Sequence, residues 1–214
     1  MSTRQQIASK WFYDLRDQCI KQFEAIEQQY AQDIGSKAGN FVRKFWDRPG
    51  GGGGEMSVMN GAVFEKVGVN VSTVHGSLQE NFRKELPGTE ESDNFFATGI
   101  SIVVHTNSPL IPAAHFNTRY IQTAKFWFGG GADLTPTYPN DQETELFHSK
   151  LKQACDIHDR NYYDKFKKNC DEYFFLKHRN EPRGIGGIFF DYLNNNNFEN
   201  DFAFVKDVGT CFLN

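Results

Sequence analysis

Two short apolar runs carry polar side chains at every second position. In Gly99–Thr106 (GISIVVHT), Ser101, Val103 and His105 alternate with Ile100, Ile102 and Val104. In the run from His115 (HFNTRYIQ), His115, Asn117 and Arg119 alternate with Phe116, Thr118 and Tyr120. Successive strand residues point to opposite faces, so each run predicts one apolar and one polar face. Paired as a hairpin, the two polar faces merge into one patch of Ser101, His105, His115, Asn117 and Arg119. Imidazole titrates near neutral pH and guanidinium forks onto carboxylates, so such a patch suits proton transfer on a bound anion. The plainer alternative is a sheet whose polar face meets water. A solvent face, however, usually carries Lys, Glu and Thr rather than two His, an Arg and an Asn.

A second signal is Phe126-Trp127-Phe128 followed by Gly129-Gly130-Gly131-Ala132-Asp133. Three aromatics and three glycines bring backbone and a lone carboxylate close to something flat, and an Asp among apolar walls accepts N–H donors. The competing reading is a turn in which Asp133 serves as a cap. The basic run Lys177-His178-Arg179 with Arg183 suits either the end of a helix or a set of carboxylate clamps. Gly50 to Gly54 read as a loop, either a flap over a site or a plain linker. The run lacks the Gly-Lys-Ser/Thr ending of a phosphate loop, which argues against nucleotide binding. His75 reads as a structural or turn residue, and no two His stand at the i, i+4 spacing of a metal-binding helix.

The elements that must position these groups follow from periodicity. Ile7, Trp11, Leu15, Cys19 (or Phe12), Phe23 and Ile26 recur at helical spacing. Residues 62–67 and 69–74 read as strands separated by Gly68, and residues 80–94 as a surface connection. Helices are expected over residues 141–157 and 161–177, a strand over 185–190, and a last helix from Phe198 through Phe202, Val205 and Val208. The fold class expected is α+β: one domain, residues 1–214, built on a largely antiparallel sheet covered by helices.

Bulk composition narrows the function. With 39% hydrophobic residues and 21 Phe among 214 residues, the chain has material for a packed core and is not globally disordered. A net charge of −4 with interspersed signs argues against a nucleic-acid binder. Four scattered cysteines without a CxxC pair suggest reduced thiols in a reducing compartment. No stretch approaches a membrane span or a secretory leader, so a soluble cytoplasmic protein is expected.

Four stretches, VFEKVGVNVSTVHG (63–76), GISIVVHTNSPLIPAAHFNTRY (99–120), WFGGGADLTPTY (127–138) and YFFLKHRNEPRGIGGIFFDYLN (173–194), closely resemble the oxygen-dependent coproporphyrinogen III oxidases. The resemblance runs from the first helix through nearly the whole chain. It implies a large, mainly antiparallel sheet with helices on both faces, and a homodimer that converts two propionates of coproporphyrinogen III to vinyl groups, with O2 as co-substrate and no haem, flavin or nicotinamide. It implies Ser101, Asn117, Thr118 and Arg119 as substrate-binding positions, His115 as proton donor and Asp133 as the carboxylate facing the pyrrole N–H groups. It also implies His105, His115, His148 and His178 as a set sometimes assigned to a divalent cation. Against the family pattern, a C-terminal part with a Tyr-x-Glu-Phe-Asn-Leu strand and an Asp-Arg-Gly loop is expected to be missing here. That would expose sheet edge and weaken the activity or folding of this chain. A non-catalytic porphyrin binder and a His-rich metal hydrolase stand as rival readings.

Overall fold

The chain begins with α1 (Thr3–Ile34), opened by a capping box in which Ser2 and Gln5 satisfy each other's backbone N–H groups and closed by Gly35 at φ 66°. The computed structural model describes residues 1–84 and 86–214, so of the expected surface connection Glu85 lies outside the described residues. Along α1 the buried stripe is Ala8, Phe12, Leu15, Cys19 and Ile20. Ile7 and Ile26, expected on that stripe, are about half exposed, because the buried face is rotated one position toward Phe12.

Six strands follow as a meander: β1 (Val42–Asp47), β2 (Gly52–Met59), β3 (Phe64–Ser77), then α2 (Glu80–Arg83), β4 (Asn94–Thr106), β5 (Ala113–Gln122) and β6 (Phe126–Thr135). The chain continues through α3 (Asp141–Asp156), α4 (Tyr162–Tyr173), the small hairpin β7 (Phe175–Leu176) and β8 (Glu181–Pro182), then β9 (Gly186–Leu193) and α5 (Phe198–Leu213). The main sheet has the order β1-β2-β3-β4-β5-β6-β9 and every pairing in it is antiparallel.

One face of this sheet holds the core. Val69, Val71, Ile100, Ile102, Phe116, Tyr120 and Phe128 point into it and pack against α1 and α5. Helix α4 follows the β9 edge, with Phe166 against Phe190, and its C-terminal end brings Tyr173 and Phe174 onto Phe189, which points to the opposite face. The architecture is α+β, as the periodicities imply, with helices on both sides of the sheet, as the resemblance implies.

Several local expectations need correction. The glycine run is a loop only as far as Gly51; Gly52, Gly53 and Gly54 are strand, paired with Val74, Thr73 and Ser72. Propensity loses to pairing here because the neighbours leave no room for a side chain. A Cβ on Gly53 would stand 2.2 Å from the Trp46 carbonyl oxygen, and one on Gly54 2.8 Å from the Trp46 indole. There is accordingly no glycine flap: the run is half of a hairpin. The two strands expected around Gly68 are a single strand, β3, which also contains His75. Strand β6 runs straight through its glycines, so Asp133 is a strand residue and not a turn cap. Helix α4 ends at Tyr173, which places Lys177, His178 and Arg179 in the β7–β8 turn rather than at a helix terminus.

Candidate active site

Register alone assembles the polar face. Asn70 pairs with Ser101, Ser101 with Asn117 and Asn117 with Gly131. One row away, Val103 pairs with His115 and His115 with Asp133; in the other direction Gly99 pairs with Arg119 and Arg119 with Gly129. Directly opposed residues of an antiparallel ladder share a face. Ser101, His105, His115, Asn117, Arg119 and Asp133 therefore all lie on the face away from α1 and α5. Arg119 and His115 are four positions apart on β5, so Arg119 and Asp133 stand about 14 Å apart along the strand direction. Thr118 is the exception: it is 1% exposed and its hydroxyl is turned into the core, so only its backbone can serve this face.

Asp133 is 4% exposed and held at two points. Arg183 donates from Nε to Oδ2 at 3.1 Å and from Nη2 to Oδ1 at 2.8 Å, a planar fork on the carboxylate. The guanidinium in turn lies over the Phe174 ring at 3.9 Å. His115 Nδ1 is 3.3 Å from Oδ2, although the geometry is not that of a hydrogen bond. The His105 and His115 rings stand perpendicular with centroids 6.3 Å apart. Arg183 is thus a resident partner of Asp133 and not a free clamp. Sequence reading had the residue but not the pairing, because fifty positions separate the two.

Arg119 forms the other pole. Its Nη1 donates to Asn117 Oδ1 at 3.0 Å and its Nη2 to Asp191 Oδ2 at 2.7 Å. The guanidinium lies across Gly129, where a Cβ would stand 2.8 Å from Arg119 Cζ and 2.6 Å from Asp191 Oδ1. Gly129→Ala should therefore push Arg119 off its pose. We expect kcat/KM to fall about tenfold, mostly through KM, with little change in melting temperature; unchanged steady-state kinetics would show that the pose does not matter. Asp191 was missed at the sequence level. Its only signal was a lone carboxylate closing the apolar run GGIFF.

A groove of about 640 Å³ opens on this face beside Arg119, lined by Trp46, Met56, Asn70, Ser101 and Asn117 as well. It extends from Arg119 toward β1 and β2, and neither His115 nor Asp133 lines it. A second cavity, of about 440 Å³, lies on the opposite side of the sheet among Phe23, Phe64, Leu151 and Phe212, and contains none of the polar-face residues. The four cysteines are free thiols, and burial pushes Cys19, Cys155 and Cys170 up to about 12, which leaves no thiolate nucleophile among them at neutral pH.

The family model described as coproporphyrinogen III oxidase matches residues 7–214. The chain belongs to that family. Proteins of Rickettsia africae (strain ESF-5) and Rickettsia peacockii (strain Rustic), each named oxygen-dependent coproporphyrinogen-III oxidase, are 64% identical to it over 208 residues. A protein of Rickettsia bellii (strain OSU 85-389) with the same name is 62% identical over 208 residues. In each case the match covers 97% of this chain and 75% of the relative.

The cation set suggested by the family resemblance does not come together. Both nitrogens of His148 are engaged: Nε2 donates to the Ile185 carbonyl at 3.0 Å and Nδ1 accepts from the Tyr163 hydroxyl at 2.9 Å. Burial lowers the His148 pKa, which keeps this neutral arrangement. His178 is exposed in the β7–β8 turn. Among the described residues no group of three His, Cys, Asp or Glu side chains is close enough to hold an ion. The residues present do not fit a four-His centre, and no chemical step is assigned to one. No helix among the described residues is long and apolar enough to cross a membrane.

Proposed function

We propose that this chain is an oxidoreductase that decarboxylates coproporphyrinogen III at two propionates, yielding protoporphyrinogen IX. Each propionate loses CO2 and two hydrogens and becomes a vinyl group, and one O2 takes up those hydrogens as hydrogen peroxide. Two propionates thus consume two O2. The observation that carries the reading is that Arg119 and Asp133 stand on one sheet face, two residue rows apart, with Asn117 and Gly131 in the row between them. Gly99 and Gly129 flank Arg119, Gly131 flanks Asn117 and Gly187 flanks Asp133, so four positions of this face carry no side chain. A floor this rich in glycine accepts a broad, flat ring, and the spacing of the two poles suits a ring-bound N–H cluster at one end and a peripheral carboxylate at the other.

In this reading Arg119 takes the reacting carboxylate, with Asn117 steadying the guanidinium and Ser101 offering a hydroxyl from the neighbouring strand. Thr118 contributes through its backbone only. Asp133 offers about four lone-pair sites, of which Arg183 uses two. The remaining sites accept pyrrole N–H groups and raise electron density on the ring, which reacts directly with O2. His115, beside Asp133, manages the proton that leaves the propionate chain. No organic cofactor enters this scheme. The family resemblance also supports a homodimer in the cytoplasm. The exposed Val42 and Phe45 of edge strand β1 are apolar surface that such an association would cover.

The test is incubation with coproporphyrinogen III in air and under argon, following vinyl-porphyrin fluorescence and mass. Loss of two CO2 only in air is the expected result. Retention of the ring without loss of carboxylates would instead make the chain a porphyrin-binding protein.

A further inference from the structure

Two Arg–Asp pairs stand on the site face, and they are not equivalent. Asp133 and Arg183 form a two-bond fork with the carboxylate side chain only 6% exposed. Asp191 and Arg119 share one contact of 2.7 Å, and both side chains are about a third exposed, at 31% and 32%. With both pairs closed, neither arginine offers an uncompensated charge to an anionic ligand. A ligand carrying four carboxylates has to open one of them. The singly bonded, half-solvated pair is the cheaper one to break.

The backbone around Asp191 is built to aim that carboxylate. Between the pairs Phe128–Leu193 and Gly130–Phe190, strand β6 contributes only Gly129 while β9 contributes Asp191 and Tyr192. This is a β-bulge, and it turns two consecutive side chains to the same face. Asp191 reaches Arg119, and Tyr192 stacks on Trp127 with ring centroids 5.6 Å apart. Tyr192 sits at φ 53°, a left-handed conformation that bulky residues avoid. It is the only aromatic residue in that region among the described residues. Its N–H donates to Asp191 Oδ1 at 2.9 Å, so the strained residue and the carboxylate hold one another in place.

We propose that Asp191 is the resident counter-anion of Arg119, a placeholder that a ligand carboxylate displaces from the guanidinium when it binds. The bulge holds Asp191 against Arg119, and the exchange makes entry selective for carboxylate-bearing rings. This inference rests on the proposed reading of the face as a porphyrinogen site.

The test compares the wild-type chain with Asp191→Asn, which keeps the Oδ1 acceptor for Tyr192 N–H and removes the charge. The probes are oxidised coproporphyrin III, which does not turn over, and its tetramethyl ester, titrated by fluorescence. Asp191→Asn should bind the tetra-acid about fivefold more tightly, while its affinity for the ester stays at the wild-type value. Weaker or unchanged binding of the acid by the variant would overturn the placeholder role, as would equal tightening toward acid and ester. If the wild-type chain bound neither probe, the failure would lie with the porphyrinogen site itself and not with Asp191.

Discussion

Asp133→Asn should cut turnover of coproporphyrinogen III by about 10²- to 10⁴-fold, the range associated with losing one positioned charged group in the chemical step. The amide keeps the shape of the carboxylate but loses both features the proposed chemistry uses. It no longer supplies negative charge beside the pyrrole N–H groups or beside His115 Nδ1, now 3.3 Å away. It also turns an NH2 group toward Arg183, which has only donors. Arg183 is 27% exposed at its side chain and swings to water, so the stability cost stays at about 1–3 kcal/mol. Initial rates of vinyl-porphyrin formation, with melting temperature as the folding control, decide the matter. A variant that folds and turns over at close to the wild-type rate would remove Asp133 from the reaction.

The second large effect concerns a carboxylate far from the chemistry. Glu27 of α1 is fully buried and accepts from the backbone N–H groups of Ala62, Val63 and Phe64 at 2.9, 2.8 and 2.8 Å, with Gly39 N at 3.5 Å. One side chain thereby satisfies the turn that leads into β3 and fastens α1 to the sheet. Glu27→Ala leaves these donors buried without an acceptor and should cost roughly 3–5 kcal/mol in denaturant unfolding. A loss below about 1 kcal/mol would mean that water replaces the carboxylate. Burial alone would raise the Glu27 pKa, but the four backbone donors outweigh it and hold the carboxyl below its ordinary range. A depressed carboxyl stabilises the fold fully above its unfolded pKa, about 4.3, and that contribution is lost as pH falls from there through the folded value. Acid titration of wild type against Glu27→Ala should therefore show a shallower acid-side slope in the variant.

The sequence was most legible where chemistry follows period two. Ser101, His105, His115, Asn117 and Arg119 could be placed on one face from alternation alone, and the register of β4 with β5 puts them there. Alternation also assigned Thr118 to the opposite face, while the family motif named it with its neighbours; its buried hydroxyl follows the alternation. The glycine-rich strands were illegible because they obey no propensity. Gly52 to Gly54 and Gly129 to Gly131 are strand because backbone and side-chain groups of their neighbours fill the space a side chain would take. The ion pairs could not be read either. Asp133 meets Arg183, and Arg119 meets Asp191, only because β9 returns beside β6 after two helices. The bulge that aims Asp191 depends on a single mismatched residue, which leaves no trace in hydrophobic pattern.

The unbroken neighbour-to-neighbour order of β1 through β6 also dictates how the molecule comes together. Apart from the longer β3–β4 connection through α2, each of those strands finds its partner across a short link, so most of the first six can zip up from local hairpins at small entropic cost. Strand β9 alone must travel back from beyond α3 and α4. Until it docks, Arg119 has no Asp191, and the segment carrying Arg183 has no fixed place beside Asp133. Binding competence should thus emerge in one late kinetic step, well after the bulk of the sheet has acquired its secondary structure.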